Sequence, residues 1–165
     1  SDGCVLISQH ADTTGAPTAC EAAGVPCVGY NIDMTSVAPT TAHTSASINW
    51  GVYYTYAVQC MIDGTPIDVD WCKGFAEGAD KLTPLNEDVV AEGTAEKVEE
   101  VENAIIDGSL HVFDTSTFTV DGEEVTTYEK NGIEYISDGY FHESEFGSAP
   151  AFDLAIDGIT SIVEE

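Results

Sequence analysis

Hydrophobic positions fall into short runs separated by turn signals, and their spacing changes along the chain. Residues 4–9 (Cys-Val-Leu-Ile-Ser-Gln) form a continuous apolar run of the kind a buried parallel strand shows. After the polar turn from His10 to Thr14, residues 16–23 suit a short helix, with Pro17 in its first turn and Gly24 as its stop. Residues 26–31 read as a second strand, so the spacing predicts a βαβ unit whose strands are parallel neighbours. Residues 44–50 read as an extended connection. Residues 51–63 read as a helix with Val52, Tyr56 and Cys60 on one stripe, ended by Asp63-Gly64.

Further on, residues 67–75 alternate like a strand around Val69, Trp71 and Phe75, and a polar linker follows. The clearest helix is 95–107, with Thr94 as its N-cap, Val98, Val101 and Ile105 as its apolar stripe, and Gly108 at its end. Residues 117–120 and 124–128 flank Asp121-Gly122 as a hairpin. Phe152, Leu154 and Ile156 alternate with polar or small residues as a strand does. Asp-Gly and Asn-Gly pairs punctuate the chain from Asp63-Gly64 to Asp157-Gly158, because both residue types tolerate the positive φ of turns and helix ends. The class is α/β with an antiparallel, hairpin-containing tail.

Composition narrows the function. The chain has 165 residues, of which 43% are hydrophobic, so one core can form. Only 4 basic residues stand against 30 acidic ones, a net charge of −26. That excess argues against nucleic acid and against anionic lipid, both of which require Lys and Arg. No apolar run approaches the roughly 20 residues of a spanning helix. The opening Ser1-Asp2-Gly3 runs at once into an apolar segment, which leads us to expect a piece of a longer exported protein.

Five cysteines lie at positions 4, 20, 27, 60 and 72 with no C-x-x-C pair, and the four histidines are far apart, so no metal or other cofactor is expected. Cys20–Cys27 and Cys60–Cys72 would each close a short loop, and at least one bridge is expected, with Cys4 free. The plainer alternative is five small buried hydrophobes.

Ligands in open α/β sheets collect beyond the carboxyl ends of the strands. The first predicted strand leads there through His10, Asp12 and Thr13 to a helix N-terminus, whose free N–H groups can hold an anionic or carbonyl group. The second ends in Asn31 and Asp33, and Trp50 beside Gly51 can offer its face to a flat ring. Duller roles compete: His10 and Asp12 as helix caps, Asn31 and Asp33 as turn-formers, Trp50 as core. No G-x-S-x-G elbow or phosphate loop occurs, and His142-Glu143-Ser144 is too local for a triad, so an enzyme is not expected.

Taken in order, these segments resemble one family. Val5-Leu6-Ile7-Ser8-Gln9-His10-Ala11-Asp12-Thr13-Thr14 is similar to the strand-to-helix segment of the basic membrane protein (BMP) lipoproteins. The likeness continues through Gly24-Val25, Val28-Gly29-Tyr30-Asn31-Ile32-Asp33-Met34, Thr44-Ser45 and Asn49-Trp50-Gly51-Val52-Tyr53-Tyr54. It runs on through Asp63-Gly64-Thr65 to Ile105-Ile106-Asp107-Gly108, covering residues 3–113.

The resemblance implies the carboxy-terminal portion of an ABC-transporter substrate-binding protein with the type I periplasmic-binding fold. It places residues 1–113 in that portion and leaves 114–165 as a β-rich, lineage-specific tail packed on the same lobe. It further implies a purine-like or nucleoside-related ligand held between two lobes, an ABC permease as partner, and an extracellular or periplasmic, lipid-anchored parent chain. The helix at 51–63 would face the missing amino-terminal lobe or, in its absence, a second copy. The ligand residues it implies are His10, Asp12, Thr13, Asn31, Asp33 and Trp50. Nucleoside-binding relatives carry aspartate where this chain has Asn31 and lysine where it has Ile48, both serving the sugar, so a free base is favoured over a nucleoside. The competing expectation is a surface sensory or adhesive module of the same fold.

Overall fold

The computed structural model describes residues 3–159 and divides into two compact units. The first runs to Ile67 and resumes over Lys73–Ile106; the second joins Asp68–Cys72 to the residues from Asp107 onward.

The first unit is a four-stranded sheet in the order β1-β2-β3-β4. Strands β1 (Ile7–Ser8), β2 (Cys27–Tyr30) and β3 (Ala42–Ile48) are parallel, and β4 (Asp80–Leu82) is antiparallel to β3. Helix α1 (Gly15–Ala23) connects β1 to β2, as the predicted βαβ unit requires. It stops at Gly24, whose φ of 66° is left-handed, with Val25 N–H closing the turn onto the Cys20 carbonyl at 3.0 Å. Cys20 on α1 packs with Cys27, Met34, Ala38 and Ala42 into a small core. The Glu21 carboxylate accepts hydrogen bonds from the Thr40 and Thr41 hydroxyls at 2.7 and 2.9 Å, and those bonds, Thr40 first, hold its carboxyl below the usual range. Helix α2 (Trp50–Asp63) leaves β3, and α3 (Thr94–Ile106) follows a 3-10 turn at Phe75–Glu77.

Strand β3 is one of the two inner strands, where the hydrophobic pattern suggested a connection. Its residues are small and hydroxyl-bearing, so apolar periodicity hides it. Burial is achieved instead by pairing hydroxyls and backbone amides, although the buried Ser45 Oγ has no partner among the described residues. Thr44 Oγ1 donates to the Thr83 carbonyl at 2.6 Å, Ser45 N–H to Thr83 Oγ1 at 2.8 Å, and Ser47 Oγ to the Asn31 carbonyl at 2.7 Å. Gly29 of β2 lies so tightly against this strand that a Cβ would run into Ser45 Oγ, and it would also stand 2.6 Å from Met34 Cγ.

Several expected elements are corrected. The apolar run at 4–9 forms only the two-residue edge strand β1; Val5 is 82% exposed, because β1 is an edge strand that, among the described residues, pairs with β2 alone. Residues 67–75 form no strand, and Val69 is fully exposed. Phe152, Leu154 and Ile156 lie in irregular chain, with only Ile156 buried. Thr94 is the first residue of α3 rather than its cap. All five cysteines are free thiols, so the expected bridge is absent. Cys20 and Cys27 pack as small hydrophobes in one core, and burial pushes the Cys27 thiol up, keeping it protonated.

The second unit is antiparallel. Hairpins join β5 (Thr119–Val120) to β6 (Glu123–Glu124), β7 (Tyr128–Lys130) to β8 (Ile133–Ser137), and β8 to β9 (Tyr140–Phe141). Each turn is one of the Asx-Gly pairs, with both residues at positive φ (53° and 81° at Asp121-Gly122), as a two-residue primed turn demands. Asp157 clasps the first hairpin, accepting from Thr119 Oγ1 at 2.7 Å and from Gly122 N–H at 2.8 Å. Asp153 binds both Tyr128 and Lys130. Segment Asp68–Cys72 is tied in by Ser148 N–H donating to Asp70 at 3.0 Å. Among the described residues no helix is long and apolar enough to cross a membrane, and no cluster of three or more His, Cys, Asp or Glu could hold a metal ion.

Candidate functional site

The carboxyl ends of β1 and β2 lie side by side because the strands are parallel and paired, Ile7 with Cys27 and Ser8 with Val28. Whatever follows each strand therefore emerges at the same end of the sheet. From β1 the chain turns through His10, Asp12 and Thr13 into α1. From β2 it turns at Asn31, whose φ of 68° is left-handed, a conformation Asn tolerates better than most residues. Asn31 N–H donates to the Ala46 carbonyl at 2.6 Å, which fixes the turn to β3.

Asp12, Thr13 and Asn31 line one cavity of about 380 Å³, with Tyr30, Ile32 and Met34 completing its wall. Asn31 Nδ2 donates to Asp12 Oδ1 at 3.5 Å, a long bond that a competing ligand can replace. Thr13 is held from both sides: Gln9 Nε2 donates to its carbonyl at 3.0 Å, and its Oγ1 accepts from Gly15 N–H at 3.2 Å. Thr14, at the N-cap position of α1, makes no capping bond through its side chain.

His10 lines a neighbouring cavity of about 580 Å³ that shares Tyr30 and extends along the sheet to Ile48 and Leu82. Its ring rests on Tyr30, with centroids 4.3 Å apart and planes at 34°. Gln9 Oε1 also belongs here and is a buried acceptor with no partner among the described residues. Asp80 closes the far side, where desolvation raises its carboxyl above the usual range.

Two candidates stand elsewhere. Asp33 turns its carboxylate onto Thr35 N–H at 2.8 Å, the turn-forming role that competed with ligand contact, and it lines neither cavity. Trp50 opens α2, stacks on Tyr54 at 6.0 Å, is 49% exposed, and also lies outside both cavities. The residue missed by sequence reasoning is Tyr30, the shared wall. Its signal was available: alternation along β2 buries Cys27 and Gly29 and so turns Tyr30 to the other face.

The second unit holds another polar cluster. His142 is buried with Nε2 at 3.0 Å from Ser137 Oγ and Nδ1 at 2.8 Å from Glu145 Oε2, so its neighbours are not the Glu143 and Ser144 beside it in sequence. Burial alone would raise the Glu145 carboxyl, but His142 and the Tyr140 hydroxyl bring it below the usual range. The spacing is that of a serine triad, yet Ser137 sits at a tight hairpin turn and lines neither of the cavities described above. We read the cluster as the polar fastening of β8 to β9.

No family model matches the chain. Over 122 residues, 74% of this chain, it is 30% identical to a purine-binding protein of Brucella abortus (strain 2308). It covers 34% of that protein, so the chain spans about a third of the length of the curated relative it matches. Among solved structures, an ABC transporter system solute-binding protein from Conexibacter woesei DSM 14684 superposes with a TM-score of 0.49 at 20% identity, over 67% of this chain and 37% of that one.

Proposed function

The chain is a partial relative of the BMP-type solute-binding proteins, and from that premise we propose that it forms one wall of a cleft for a purine-like base. The observation that carries this reading is the meeting of Asp12, Thr13 and Asn31 on one cavity beside the His10–Tyr30 pair. In this proposal Asp12 and Asn31 read the polar edge of a heterocycle. A carboxylate accepts from ring N–H or amino groups, and an amide both donates and accepts. His10 and Tyr30 supply the flat surface, worth on the order of 1 kcal/mol beyond burial. Ile48, on the wall of the second cavity, can make no hydrogen bond to a sugar, which supports a free base over a nucleoside. Thr13 holds the loop, while Asp33 and Trp50, which line neither cavity, take no part.

The role is capture rather than turnover, in an extracellular or periplasmic protein that feeds an ABC permease and is anchored by lipid. Residues 1–113 carry it and 114–165 are an addition. The opposite wall comes from an amino-terminal lobe or a second copy, so the chain alone binds weakly.

Isothermal titration calorimetry with adenine, hypoxanthine, inosine and guanosine tests the reading. The bases are expected to bind tighter than the nucleosides, and Asp12→Asn to weaken them by about tenfold or more, as loss of a charge-assisted hydrogen bond does. Tighter binding of guanosine or inosine overturns the base preference, and an unaltered affinity in Asp12→Asn removes the site.

A further inference from the structure

We propose that the folded state of this chain depends on salt in the molar range, and that the second unit comes apart first as salt is withdrawn. The sequence carries a net charge of −26 and no arginine. Its charge is also displayed: all of the described carboxylates are exposed except Glu21, Glu102 and Glu143, which are half-buried. Three of the four lysines each sit against one carboxylate, Lys73 on Glu77, Lys97 on Glu100 and Lys130 on Asp153. Little positive charge is left to offset the rest.

The imbalance is uneven. The first unit holds fourteen acidic residues and three lysines; the smaller second unit holds sixteen and one. Within the second unit the register sets Glu129 directly opposite Glu134 across β7 and β8, and β6 is the exposed pair Glu123–Glu124. Like charges facing each other across a ladder destabilise it. Against that repulsion, the buried apolar side chains described in this unit are Tyr135, Ile136 and Ile156.

Salt decides which effect wins. Cross-strand neighbours are roughly 5 Å apart, inside a Debye length of about 8 Å at physiological ionic strength and outside one of about 3 Å at 1 M. In dilute buffer every carboxylate on the surface feels its neighbours, and in molar salt almost none does. Self-repulsion of this kind is a recognised destabiliser of compact states.

Hydrogen exchange read by mass spectrometry, with circular dichroism, tests the proposal on the full chain stepped from about 3 M to about 0.1 M NaCl, a range that spans the change in screening. Amides of β7, β8 and β9 are expected to lose protection at a higher salt concentration than those of β2 and β3. The double variant Glu123→Lys, Glu129→Lys is expected to lower the salt midpoint of the second unit at least twofold and leave that of the first unit in place. Glu129→Gln should give a smaller shift of the same sign. Full protection of both units at the lowest salt overturns the proposal. So does a salt midpoint of the second unit unmoved by the charge reversals.

Discussion

Two positions show how single residues are constrained here. Gly29 is needed for space: its backbone φ is ordinary, but a Cβ there would drive into Ser45 and Met34. Gly29→Ala should therefore destabilise the first unit by roughly 1–3 kcal/mol, as overpacking does, seen as a lower denaturant midpoint for exchange in β2 and β3. Asp157 is constrained by charge. Hydrogen bonds from Gly122 N–H, then Thr119 Oγ1 and Asp121 N–H, hold its carboxyl below the usual range. A depressed folded-state value means a contribution that is present above the unfolded value of about 4 and lost as pH falls through the folded one. Asp157→Asn should weaken the β5–β6 hairpin at pH 7, and the gap to the parent should close on acidification below about pH 4. A gap that persists unchanged at low pH would show that shape, not charge, matters there. Ser137, finally, should resist fluorophosphonate reagents; labelling of it would revive the triad that its distances suggest.

At the scale of elements, legibility followed the kind of side chain that fills the core. Helices α1, α2 and α3 were readable because Gly24, Gly64 and Gly108, all at positive φ, mark their ends and because an apolar stripe runs along each. The second unit's turns were readable from Asx-Gly pairs, though β8 and β9 between them were not. Strand β3 was illegible because its buried residues are small and polar: Thr44 and Ser47 satisfy their hydroxyls inside the fold, and Ser45 is buried without an apolar side chain. Residues 4–9 misled in the opposite sense, being apolar without burial. Hydrophobic patterning also reached the site: strand ends were placed well enough to bring Asp12 and Asn31 together, whereas Asp33 and Trp50 depend on local rotations that no periodicity encodes. Helix α2 supports a test of its own. Its inner stripe of Val52, Tyr56 and Cys60 is at least half-buried, but Tyr54, Val58, Met61 and Ile62 are exposed. Val58→Lys with Met61→Lys should leave the unfolding midpoint within about 0.5 kcal/mol, as surface changes do, while lowering the binding of an apolar dye. A collapse of stability instead would place that face inside the fold.

For the molecule as a whole, that outer face of α2 bears on association. Contiguous apolar patches of a few hundred Å² seldom remain uncovered, so the chain should sediment as more than a monomer, or retain a partner lobe, under conditions where it is folded. A monodisperse monomer with no dye-binding surface would count against the half-cleft reading. The α/β class and the pairing of β1 with β2 were legible at this scale. The sequence reading set residues 114–165 apart, but not the place of Asp68–Cys72, which joins residues far along the chain through contacts such as that of Asp70 with Ser148.

The make-up of the first unit's interior has a thermal consequence. Among the described residues the buried cluster is of thiols and alanines with Met34, and half-buried Ile7 packs against it, so it releases little oily surface when the chain opens. The heat-capacity step in a calorimeter should fall below the customary value of about 12–15 cal/mol/K per residue. Stability should then vary gently with temperature, leaving a broad, shallow optimum and a cold-unfolding limb displaced far below freezing.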